Sequence, residues 1–297
     1  MSSPSLALPQ DAEPVLRPQP STWTVLGRFL RGNPLATLGV ILFTAWILIS
    51  LLAPVLAPYA PLEQDIANRL QGPSEQHWFG TDQLGRDVFS RVLYGGRLSL
   101  PAGVMVVIVA GIIGTGVGAL AGFIGGWFDE LTMRATEVFL AFPTIILAMA
   151  VAAALGPSLV NAIVAMVVVW WPNYARVVRS LVLGVKSQEF VEAARALGVP
   201  DGRILWRTVL PNCLAPAVVL ATIDLGNAIL VFAGLSFLGL GPEPSTPEWG
   251  RMVADGIAYF DQWWMAAFPG LAIFTVVIAF NFLGDGIRDA LDPRLRK

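Results

Sequence analysis

Cysteine, histidine and lysine are almost missing from this chain: Cys213, His77, Lys186 and Lys297 are the only examples among 297 residues. A single cysteine excludes an internal disulfide framework and any cysteine-rich metal site. A single histidine excludes zinc sites that need two. Neither lysine follows the GxxxxGK[ST] spacing, so the chain carries no phosphate-binding loop of that kind. Charged residues make up 13%, against roughly 25% in a soluble globular domain. The net charge of −2 supplies no field that would attract nucleic acid. No nucleophile–base pair points to an enzyme. A basic region running into an early apolar segment, as in a secretory signal, is also lacking. Residues 1–34 therefore read as a cytoplasmic tail, unstructured to Pro20, with an interfacial amphipathic helix carrying Trp23, Leu26 and Leu30.

What fills the chain instead is apolar: 55% hydrophobic residues and a mean hydropathy of +0.66. About 20 apolar residues cross a bilayer core of roughly 30 Å. Six runs qualify: 35–57, 98–127, 139–155, 159–174, 214–240 and 264–283, the third and fourth forming a hairpin about Gly156-Pro157. With the N-terminus in the cytoplasm, fourteen Lys and Arg fall inside and five outside. That asymmetry predicts both termini, including a tail at 291–297, on the cytoplasmic side. Residues 58–97 then form an extracytoplasmic segment, with a helix start expected at Thr81-Asp82. In that segment His77 reads as a hydrogen-bonded structural histidine. Gly114, Gly118 and Gly122, four residues apart in the second run, read as a helix-packing face.

The most polar long stretch of the second half is EFVEAARALGVPDGRILWRTVLPN, residues 189–212. Phe190, Ala193, Ala194 and Leu197 recur at helical spacing, opposite Glu189, Glu192 and Arg195. Gly198 stands where a helix end takes left-handed dihedrals, and Pro200 cannot continue that helix. A second short helix comes next, with Ile204, Leu205, Thr208 and Val209 to one side, Arg203 and Arg207 to another, and Pro211 stopping it. Such a bent pair is either a docking knob or an interfacial helix on lipid headgroups. Asp224 lies near the middle of the fifth run, with Asn227 on the same face. An intramembrane carboxylate is a candidate functional group. Either it faces a translocation path and meets a peptide's amino terminus, or it pairs with polar groups between helices.

The residue order resolves the first choice by resemblance. Glu192-Ala193-Ala194, Gly198 and Leu210-Pro211 are spaced as in the EAA loop of bacterial ABC-importer permeases, with Thr208 standing where an isoleucine is usual. HWFGTDQLGRDVFSRVLYGGRLSL (77–100), FDELTMRATEVFLAFP (128–143) and GLSFLGLGPEPSTPEWG (234–250) resemble segments of the C-type permeases for di- and oligopeptides. The resemblance implies an all-α membrane protein with six transmembrane helices, of the type I importer fold, in a bacterial inner membrane. It implies a permease core over 98–290 with a coupling loop at 186–212. Glu189, Glu192, Ala193, Ala194, Leu197, Gly198, Leu210 and Pro211 would then contact a separate ATPase. ATP and magnesium would sit on two such ATPase subunits, with no cofactor on this chain. A second homologous permease, an extracytoplasmic solute-binding protein and lipid would complete the partners. The segments 58–97 and 241–263 are the expected contacts of the binding protein. Peptide is the expected cargo, with nickel complexes or glutathione as alternatives. An ion-gradient transporter using Asp224 is a separate class, disfavoured because no inverted repeat is visible.

Overall fold

The computed structural model describes residues 33–291, so the expected tails and the amphipathic helix near Trp23 lie outside the described residues. The described chain is helical, and its single β-bridge joins Thr81 to Asp87. In order come α1 (Pro34–Leu56), a 3-10 turn (Ile66–Asn68), α2 (Val88–Ile124), α3 (Gly126–Leu140), α4 (Thr144–Leu155) and α5 (Leu159–Lys186). Beyond them lie α6 (Glu189–Ala196), α7 (Asp201–Ile204), a π-helical turn (Leu205–Val209), α8 (Leu210–Phe237), α9 (Trp249–Ile257) and α10 (Trp264–Leu291).

Among the described residues four helices are long and apolar enough to cross a membrane: α1, α2, α7 to α8 taken as one, and α10. A bent pair, α3 with α4, makes a fifth if counted as one span. The expected third run at 139–155 is thus broken. Phe139 and Leu140 end α3, Pro143 starts α4, and the two axes meet at 92°. Pro143 cannot donate within a continuing helix, and hydropathy alone does not register a bend. The expected fourth run extends to Lys186 as α5. Asn173, Tyr174 and Arg176 dilute its apolar character, but the helix is central, with Ala162, Ala165, Met166, Trp170 and Tyr174 buried.

Side-chain sizes are distributed as lipid demands. On α1 the buried residues are Ala36, Gly39, Ser50 and Ala53, while Leu35, Ile41, Leu51 and Val55 point outward. Between helices in lipid there is little hydrophobic drive, so close backbone approach through small residues takes its place. The glycine face of α2 does this within the chain, against α5. A β-carbon at Gly122 would stand 2.9 Å from the carbonyl oxygen of Arg179, and one at Gly114 or Gly118 would overlap α5 backbone.

Helix α2 runs parallel to α5, and α10 runs antiparallel to both α1 and α8 through Phe43–Phe280 and Gly226–Asn281 contacts. The first and last described helices therefore begin and finish at one end of the bundle, the end that carries α6. At the opposite end, the helix expected at Thr81-Asp82 instead begins at Val88, continuous with the span. Asp87 is its cap, accepting from Ser90 N at 2.7 Å, so the free segment is 57–87. The Asp82 carboxylate folds back on Leu84 N, Arg86 N and Arg86 Nε (2.9, 3.0 and 2.6 Å), closing a turn. His77 Nδ1 lies 2.9 Å from Asp87 Oδ1 in the buried interior, the structural role expected of it.

Candidate functional site

The α6–α7 element is held from within and bare outside. Val191, Ile204, Leu205 and Val209 are buried against Phe123, Val178 and Val182 of α2 and α5. The expected apolar face of α6 divides: Ala194 is half-buried, while Phe190, Ala193 and Leu197 face outward, Leu197 being 84% exposed. The fully buried residue of α6 is Val191, which is not part of the expected face. The α6 residues Glu189 and Glu192 are exposed, and among the described residues neither enters an ion pair.

Gly198 ends α6 with φ of +76°, the left-handed conformation expected of it. Gly198 N donates to Arg195 O at 2.9 Å and Val199 N to Ala194 O at 3.1 Å, which together satisfy the last carbonyls of a short helix. Across the bend Arg195 Nε lies 3.5 Å from Asp201 Oδ1.

Pro211 does not stop the second helix. It lies at the start of α8 directly after a π turn, and the helix runs on through it. The π turn just before it widens the helix by one residue, and Leu210 N reaches back to Leu205 O. Asp201 to Phe237 is consequently one continuous helical span. Leu210 is buried at the start of α8 and Pro211 exposed, so the two do not present one surface.

A second tie went unnoticed in the sequence. Lys186 Nζ donates to Phe123 O at 2.5 Å, at the C-terminal end of α2, and lies 5.6 Å from the Phe123 ring centre. The Arg195 guanidinium is 5.7 Å from the same ring. These cation–π contacts join the end of α5, through Lys186, and α6, through Arg195, to α2. Nearby, Arg179 of α5 grips Asp129 of α3 through two bonds of 3.0 and 2.5 Å. No local spacing signals these pairs, since the partners lie 50 or more residues apart.

Asp224 and Asn227 of α8 line one cavity of about 520 Å³ with Thr144 and Ile145 of α4 and Trp170 and Asn173 of α5. Asp224 is 7% exposed. Its carboxylate lies against the Tyr174 hydroxyl and the Trp170 indole, close enough for their hydrogen-bonding groups to act on it, although among the described residues Asp224 Oδ2 and the Tyr174 hydroxyl have no partner in strict hydrogen-bonding geometry.

At the far end of the bundle Glu248 ties three helices. It is fully buried, and its Oε1 accepts from Ser99 Oγ and Gly250 N, both at 3.0 Å. Its Oε2 accepts from Ser236 Oγ and from Arg251 N, the latter at 2.9 Å. Burial pushes this carboxyl above its ordinary range, against the hydrogen bonds that favour its charge. Beside it Trp249 Nε1 donates to Val92 O at 2.9 Å.

Comparison with known families decides what kind of membrane protein carries this bent, outward-facing helix pair. Residues 114–297 match the family model for the binding-protein-dependent transport system inner membrane component. The chain belongs to that family. Residues 21–73 also match the N-terminal transmembrane domain of oligopeptide transport permease C. The chain is 45% identical to the dipeptide transport system permease protein of Alkalihalophilus pseudofirmus over 300 residues, covering 97% of this chain and 99% of that protein. It is 45% identical to a probable D,D-dipeptide transport system permease protein of Escherichia coli over 266 residues, 89% of each chain. A glutathione transport system permease protein of Escherichia coli is 44% identical over 290 residues, 96% of each. The protein is thus a permease subunit of an ABC importer and a multi-pass protein of the bacterial inner membrane. It is not itself an enzyme, and its family works with ATPase and substrate-binding partners.

Proposed function

We propose that this chain forms half of the translocation path for di- or oligopeptides and couples it to ATP hydrolysis on separate subunits. Six transmembrane helices place both termini in the cytoplasm: the four long apolar helices, α5, and the bent α3–α4 pair counted as one. The distribution of Lys and Arg supports that orientation. A second, homologous permease faces this one. Two ATPase subunits hold ATP and magnesium, and a solute-binding protein docks on the extracytoplasmic ends near 57–87 and α9.

The observation that carries the reading is the uncovered face of α6. Phe190 and Leu197 are 47% and 84% exposed beside unpaired Glu189 and Glu192, on an element whose other side is packed and whose helix continues into α8. An apolar pair flanked by carboxylates fits a cleft with an apolar floor and a basic rim. Ala193 lets that cleft approach closely, and Gly198 sets the angle of the knob. Closing of the ATPase pair would draw this knob inward and tilt α8, and through Lys186 and Arg195 also α2.

Glu192→Lys tests this. In the reconstituted importer it should abolish ATP-driven dipeptide uptake and cargo-stimulated ATP hydrolysis, while the amount of permease in the membrane stays unchanged. Normal stimulation in the variant would remove α6 from the coupling contact. The comparable similarity to dipeptide and glutathione permeases makes glutathione the second cargo to assay.

A further inference from the structure

The cavity of about 520 Å³ between α4, α5 and α8 has one ionisable group in its wall, Asp224. More than nine-tenths of that residue is buried beside Tyr174 and Trp170, and among the described residues Oδ2 has no partner in hydrogen-bonding geometry. Among the described residues no lysine or arginine pairs with it. A carboxylate at membrane depth without a countercharge is expensive, and such groups face paths or cavities that balance their charge. The remaining polar lining is two asparagines, Asn173 and Asn227, and Thr144. It holds acceptors and no fixed cation. Trp170 adds an aromatic surface, which favours an organic cation over a bare ion. The volume points the same way, because pockets of roughly 300–1,000 Å³ suit small molecules.

From this geometry we infer that Asp224, with Trp170, Asn173 and Asn227, forms a subsite for a primary ammonium group on the cargo. An ammonium has three donors and no acceptor, which matches a carboxylate flanked by amide oxygens. The inference rests on the reading of the chain as a peptide importer and adds the group by which the membrane path holds its cargo. Asp224 then receives a charge that is delivered and leaves with each transport cycle, so a permanent internal partner would defeat it.

The test uses the complete importer in detergent without its binding protein, and two probes that share a skeleton: L-alanyl-L-alanine and propionyl-L-alanine, which lacks only the amine. The wild-type complex should bind alanyl-alanine about tenfold more tightly, the scale of one charge-assisted contact. Asp224→Asn should remove that preference by weakening alanyl-alanine alone. A purely structural role would weaken both probes together. Equal affinities in the wild type, no saturable binding, or a preference that survives Asp224→Asn would each overturn the subsite. Binding that tracks sodium rather than the amine would overturn it as well. The wild-type arm stands even where the variant does not assemble. ATP-driven uptake of alanyl-alanine in liposomes tests the importer reading separately: uptake without amine preference rejects the subsite only.

Discussion

Replacing Glu248 by glutamine removes a charge while keeping the shape, and the hydrogen bonds around the carboxylate set the cost. Each carboxylate oxygen accepts from one serine hydroxyl and one backbone amide: Ser99 and Gly250 on one, Ser236 and Arg251 on the other. Whichever way the glutamine amide turns, its NH₂ meets one serine and one backbone N–H. The serine can rotate to accept, but the backbone N–H cannot. One buried amide, Gly250 N or Arg251 N, is therefore orphaned, at about 1–3 kcal/mol. Glu248→Ala orphans both amides at the start of α9 and opens a cavity, for about 3–5 kcal/mol. Ser236→Ala removes one donor to a carboxylate and should fall below both. Thermal unfolding of the assembly in detergent, monitored through exposure of the buried thiol of Cys213, should show the largest loss for Glu248→Ala, then Glu248→Gln, then Ser236→Ala.

The pH dependence adds a sign. The folded-state pKa of Glu248 lies above the unfolded value of 4.5, so the unfolded chain releases its proton first as pH rises. Wild-type stability from this group is full below 4.5 and declines as pH climbs through the raised folded value. Glutamine does not titrate. Its deficit relative to wild type should grow on acidification from neutrality toward 4.5, because a protonated carboxyl can donate to a serine and still accept from the amide. Glu248→Gln equal in stability to wild type, or a deficit that shrinks on acidification, would refute this account of the network.

Gly198→Pro demands a φ of opposite sign and removes the bond to Arg195 O. It should cost the bend about 3 kcal/mol or more and eliminate coupled uptake. Gly198→Asn, which tolerates left-handed dihedrals, should keep most of it. Gly118→Val places a branched side chain against the Ala175 backbone and should prevent close packing of α2 on α5, seen as loss of folded permease from the membrane.

The helical runs, the glycine face and the bend at Gly198 were legible in the sequence because each obeys a local rule. Lipid length sets the runs, close approach sets the glycines, and left-handed dihedrals set Gly198. The break at Pro143 and the continuity through Pro211 come from neighbours instead. Pro143 lies inside one apolar run, yet it precedes a helix at 92° to the last, and Pro211 looks like a stop, yet a π turn carries the backbone through it. Glu248 sat among Glu243, Asp255 and Asp261 as one more acidic loop residue. It is buried because Ser99, 149 residues away, reaches it.

Apolar run length, arginine asymmetry and the Glu192-Ala193-Ala194…Gly198 spacing by themselves determined a membrane subunit with a bent polar knob. Such properties depend on neighbours in sequence and on the solvent. Tertiary structure alone decided which face of α6 is free, because Val191 rather than Phe190 meets α2 and α5. It alone also set Asp224 in the wall of a cavity and next to Tyr174 and Trp170 of α5, since that cavity exists only where α4, α5 and α8 come together.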